Sequence, residues 1–60
     1  MRFMDIIPDG IIIELHGFQY ELLLDHDGNI SINDVEGHEL VMDEISNVWL
    51  EIRWAIQEYF

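Results

Sequence analysis

Residues 11–25, IIIELHGFQYELLLD, alternate apolar and polar positions around a single point. With His16-Gly17 as a two-residue hairpin loop, Leu15 faces Phe18, Ile13 faces Tyr20 and Ile11 faces Leu22, which places every apolar pair on one face. The other face then receives Ile12, Glu14, Gln19, Glu21 and Leu23. A second hairpin follows, with Asp25 and Asn29 flanking a three-residue HDG loop in which Gly28 is free to adopt a left-handed conformation. That register sets Leu24 against Ile30 and Leu22 against Ile32, again on the apolar face. Upstream, RFMDII is β-prone and runs into PDG, the chemistry of a type I turn with a bulge. This predicts a first strand over Arg2–Ile7, with Ile7 facing Ile11 and Asp5 placed awkwardly on the core face.

The period changes in the last third of the chain. Ile45, Val48, Trp49, Ile52, Ala55, Ile56 and Tyr59 recur at three- and four-residue spacing, the stripe of an amphipathic helix. Asp43 is a good N-cap with Glu44 in the first turn, although a start as early as Gly37 fits the pattern too. If the helix starts at Asp43, HELVM is a short fifth strand or an extended connector. The expected architecture is α+β: an antiparallel β-meander of three to four strands, then one C-terminal amphipathic helix packed on one sheet face, in a single domain over residues 1–60.

Charge changes the picture more than length does. Thirteen acidic residues stand against Arg2 and Arg53, with no lysine, for a formal net charge of −11. Half the residues are apolar, enough to build a core despite that charge. Direct nucleic-acid binding is excluded, because phosphate contacts need cations. The acidity instead points to a basic protein, a cation or a salty medium. Sixty residues bury only about 60% of their unfolded surface, so the core is marginal. Cysteine is absent, which removes disulfides, zinc thiolates and cysteine catalysis. Neither a signal-peptide profile nor an apolar run of membrane-spanning length is present, so a cytoplasmic protein with no membrane partner is expected.

The stretch LLLDHDGNISINDVEG resembles part of the calcium-binding loop of the EF-hand family. With Gly28 at the loop's sixth position, Asp25, Asp27, Ser31 and Asp34 fall at ligand positions and Ile30 at the apolar one. The first ligand position is then Leu23, which cannot coordinate calcium, and the last is an aspartate rather than the bidentate glutamate. FQYELLLD reads as a strand where an EF-hand needs a helix. The hairpin explains the stretch better, and Asp25, Asp27 and Asp34 stand only as candidate ligands for weak divalent-cation binding.

No catalytic constellation emerges, and no cofactor is expected. His16 and His26 fall at opposite ends of one strand, about 30 Å apart at 3.3 Å per residue, too far to share a metal. Ser31 and Ser46 have no histidine beside them in a triad arrangement. The chain has no glycine-rich phosphate loop. An enzyme is not expected.

One anomaly concerns the helix. Leu50 and Trp54 point away from its core stripe, with Asp43, Asn47, Glu51 and Glu58 around them. An aromatic anchor on an acidic face is a candidate partner-binding site, because such residues often dominate binding energy. The partner-binding set is therefore Trp54, Leu50, Asp43, Glu51 and Glu58. Ile12 and Leu23, bordered by Glu14 and Glu21, form a weaker patch on the outer sheet face.

The reading these features favour is an acidic interaction module. It would inhibit a nucleic-acid-binding protein by occupying that protein's basic surface, its carboxylates imitating a phosphate backbone. In size and charge the chain resembles the small acidic proteins with which phages disable host defences, among them uracil-DNA glycosylase inhibitors, anti-restriction proteins and anti-CRISPR proteins. That resemblance implies DNA mimicry and, for a viral protein, the host cytoplasm. It rests on no shared motif and carries over no functional residue. A structural or regulatory homodimer whose acidity serves solubility is the alternative, and a weak calcium-binding module the third reading.

Overall fold

The chain forms a four-stranded antiparallel sheet in the order β1-β2-β3-β4, followed by a C-terminal helix. The computed structural model describes residues 1–60. The strands are β1 (Arg2–Ile7), β2 (Gly10–Leu15), β3 (Phe18–Leu24) and β4 (Ile30–Asn33). A one-turn helix α1 (Met42–Ile45), a 3₁₀ turn (Ser46–Val48) and the helix α2 (Trp49–Tyr59) complete the chain.

The central hairpin has the register its alternation predicts: Leu15↔Phe18, Ile13↔Tyr20 and Ile11↔Leu22. His16 and Gly17 both take positive φ, 53° and 85°. This is the mirror-image turn whose twist matches a right-handed hairpin. The β3–β4 register also follows the pattern, with Leu24↔Ile30 and Leu22↔Ile32. The inward residues of β2, β3 and β4 meet Ile45, Val48, Ile52 and Ala55 in one core. Ile13, Leu22 and Ile52 are wholly inaccessible to solvent. Each contributes roughly 1.5–3 kcal/mol by leaving water. Phe18 keeps its predicted pairing with Leu15 yet is 69% exposed, while Leu15 itself is buried in the core.

The first strand differs from its expectation in an instructive way. Ile7 pairs with Gly10 and Ile6 with Ile11, so Ile7 does not face Ile11. The bulge sits inside β1, between Phe3 and Asp5, rather than at the turn. One extra residue reverses the side-chain parity of everything after it. Phe3 therefore shares the helix-bearing face with Ile13, Asp5 turns outward beside Ile12, and Ile6 returns to the helix side opposite Ile11. The bulge removes the buried carboxylate that simple alternation implies. Asp5 also accepts the Ile6 backbone N–H at 2.8 Å, so this edge strand carries both a bulge and a charge. Those are two devices that discourage strand addition at an open edge.

The helical segment is also corrected. It starts at Met42 with Val41 as N-cap, so Asp43 lies in the first turn and caps nothing. Valine offers no side-chain acceptor; Glu44 Oε1 instead accepts the Val41 N–H at 3.2 Å. The helix is not continuous, because Ile45 and Val48 take φ near −120° with ψ of 7° and 10° around the 3₁₀ turn. Ser46 and Asn47 are weak helix formers, and Ile45 and Val48 are β-branched. The break lets both branched residues reach the core, where they are 2% and 1% exposed. Upstream, HELVM is mainly a connector: Glu39 makes an isolated bridge with Asn33, and the Leu40 N–H donates to the Ile32 carbonyl at 2.8 Å.

Candidate protein-interaction surface

Helix α2 presents its inner stripe to the sheet and leaves Leu50 and Trp54 one turn apart on the outside. Leu50 is 75% exposed and Trp54 48%. Together with Met1 and Glu51 they line an open hollow of about 510 Å³. Glu51 sits on its rim, and its carboxylate also lies 3.7 Å from His16 Nε2. Glu58 is exposed one turn beyond Trp54. Asp43 does not line this hollow: it belongs to α1, on the far side of the 3₁₀ turn, so helical phase does not carry it to Leu50. Met1 was not legible as a member of the site. The signal is its position two residues before Phe3, the same parity along an extended chain, and it lines the hollow with Leu50, Glu51 and Trp54.

All the carboxylates are exposed or half-buried. Two acid–base contacts exist, His16–Glu51 and His38 Nε2–Glu44 at 3.6 Å, and both involve exposed histidines. Each contributes at most about 1 kcal/mol, and only when the imidazole is protonated. Neither Arg2 nor Arg53 takes part in an ion pair. The negative field is therefore left almost uncompensated at the surface.

The aspartates of the apparent calcium loop do local work. Asp25 Oδ1 accepts the backbone N–H groups of Asp27 and Asn29, both at 2.9 Å, inside a hairpin loop closed by Asp25 N–H to the Asn29 carbonyl. Asp34 repeats the arrangement nine residues on, accepting the N–H of Glu36 at 2.9 Å and of His38 at 3.0 Å. Gly28 and Gly37, each three residues after its aspartate, have φ of 84° and 86°. The shared signature is aspartate, any residue, an acid, then glycine: DHDG and DVEG. It is a turn motif, in which the carboxylate satisfies amides that the tight loop would leave unpaired. Asp25, Asp27 and Asp34 are not brought together with a further donor into a group of three or more metal-ligating side chains.

The outer sheet face carries Ile12 and Leu23 as the alternation predicts, both half-buried, with Glu14 and Glu21 beside them. Asp5, Ile12, Glu21 and Asn33 lie abreast across the four strands. Ser31 accepts a hydrogen bond from Asn33 Nδ2 at 3.3 Å, and Ser46 lies in the 3₁₀ turn. No helix is long and apolar enough to cross a membrane. Comparison with known proteins found no matching family model, no matching curated protein and no matching solved structure.

Proposed function

We propose that this chain is an acidic interaction protein that inhibits a nucleic-acid-binding protein by covering its basic surface. The carrying observation is the pairing of an uncompensated net charge of −11 with an exposed leucine–tryptophan anchor on a rigid helix. Carboxylates held at the surface offer a basic groove the negative charge that it meets in a phosphate backbone. They steer encounter and set which partners are accepted. Leu50 and Trp54 supply apolar contact that a nucleic-acid backbone lacks, and so a means to outcompete it. In this reading Glu51 and Glu58 flank the anchor and Asp43 contributes to the wider field. The site of action is the cytoplasm, that of the host if the protein is viral.

The test is capture of binding proteins at low and moderate salt by immobilised wild type and by Trp54→Ala. The reading expects a basic nucleic-acid-binding protein on the wild type, and a loss of at least about 2 kcal/mol of affinity for that protein in the variant. Equal capture by a folded Trp54→Ala protein contradicts the assignment of the anchor. Self-association that Trp54→Ala abolishes makes the anchor a homodimer contact instead.

A further inference from the structure

A second hollow lies between β1 and the last turn of α2. It has a volume of about 390 Å³, with Phe3, Ile6, Leu24, Tyr59 and Phe60 in its walls and Asp9 the only charged side chain lining it. The Phe3 and Tyr59 rings lie with centroids 5.0 Å apart at 32°. Ile6 is 72% exposed, so it reaches the groove without being covered by the helix. The β1 bulge creates this arrangement, since it returns Ile6 to the side that carries Phe3.

Three independent features make this a site for a cation on an apolar stem. The Asp9 carboxylate enters no hydrogen bond or ion pair within the chain, unlike Asp5, Asp25 and Asp34. Helix α2 ends at the groove with no basic residue in its last turn, so the negative end of its dipole is unanswered. Phe3, Tyr59 and Phe60 are all partly exposed at the groove, and aromatic rings attract a cation. Arginine meets all three demands: its methylenes pack on Ile6 and Leu24, and its planar guanidinium lies against a ring while hydrogen-bonding to a carboxylate. A second copy of the chain is the wrong occupant. It offers only Arg2 and Arg53 and brings a further charge of −11.

We infer that this groove receives an arginine side chain of a basic protein partner, an inference that rests on the proposed function for the partner but not for the chemistry of the groove. The test is an NMR titration of the intact chain with the blocked peptide Gly-Gly-Arg-Gly-Gly. Two control peptides carry citrulline or norleucine in place of arginine. The arginine peptide should shift the signals of Asp9, Phe3, Tyr59 and Phe60 saturably, and the controls should bind more weakly. Asp9→Asn should lower affinity about threefold, the size of an exposed cation–aromatic or carboxylate contact. Phe60→Ala, at a 46%-exposed position, should do the same without touching the core, and Trp54→Ala should leave the titration unchanged. Equal binding of the citrulline or norleucine peptide, an unaltered response in Asp9→Asn, or small shifts spread over all the carboxylates would each overturn the assignment. Arginine binding here without a captured nucleic-acid-binding protein would leave the groove intact and remove the proposed function. Capture through Trp54 with a silent groove would do the reverse.

Discussion

Asp25 and Asp34 show how one residue type separates two readings of the same stretch. If their carboxylates serve to accept backbone N–H groups, asparagine can replace them, because its side-chain carbonyl occupies the same place. Asp25→Asn should therefore leave the unfolding midpoint nearly unchanged, whereas Asp25→Ala should cost about 1 kcal/mol through two lost acceptor contacts. Urea titrations of the two variants distinguish these outcomes. Calorimetric titration with millimolar calcium should show no tight saturable site, and one that disappears in both variants would contradict the turn account. The loop was legible in the sequence because Leu23 cannot be a ligand and the flanking apolar residues alternate. Its duplication at Asp34 was not, because the second copy leads to a single bridge rather than a strand and so lacks the alternation that marks a hairpin. Gly10 carries a different constraint. A Cβ there would lie 1.8 Å from the Leu22 carbonyl oxygen, a backbone atom that cannot move aside alone. Gly10→Ala should cost at least about 2 kcal/mol, near the upper range of overpacking, and a smaller loss measured by urea titration would show that the β2–β3 pairing yields easily.

The elements were legible wherever burial imposes a period and obscure wherever a single residue breaks it. The central hairpin, the β3–β4 register and the helical stripe follow from alternation and three-to-four spacing. The bulge in β1 does not, since an inserted residue leaves no mark on composition. Only the misplaced Asp5 hints that the parity must change. Deleting Met4, the residue between Phe3 and Asp5, removes the bulge and leaves Phe3 opposite Ile13, Asp5 opposite Ile12 and Ile6 opposite Ile11 in simple alternation. The deletion should therefore preserve the cooperative thermal transition followed by circular dichroism; a deletion variant that fails to fold would mean that the edge strand depends on the bulge itself. The break between α1 and α2 was hidden for a related reason. Ile45 and Val48 fit a continuous stripe on paper, and the core draws both inward through a 3₁₀ turn instead. Within α2 the two faces should respond differently to truncation. Ile52→Ala should cost about 2–5 kcal/mol, enough to unfold much of a small domain, whereas the Trp54→Ala chain should stay folded.

At the scale of the whole molecule, a domain of 28 × 23 × 22 Å holds a formal charge of −11 with two exposed histidine–carboxylate contacts to set against it. Self-repulsion of that kind destabilises the compact state and is weakened by salt. Raising sodium chloride from about 20 mM to about 500 mM shortens the screening length several-fold, so the melting temperature should rise. A fall would mean that attractive pairs govern the surface. In the proposed function the same charge selects a basic class of partner, and the exposed apolar side chains of α2 and β1 are the points of contact. The acidity and the Leu50–Trp54 anchor were visible in the sequence. The groove between β1 and the end of α2 was not, because Phe3, Ile6, Tyr59 and Phe60 come from opposite ends of the chain and meet only after β1 has changed parity. The central claim, that this surface takes the place of nucleic acid on a basic protein, is most directly tested by competition. The captured partner is loaded with a fluorescent DNA duplex and titrated with the chain at fixed moderate salt. The account predicts that the chain displaces the duplex to completion and that Trp54→Ala shifts the displacement curve to higher concentration. A stable complex that holds the duplex and the chain together would contradict it.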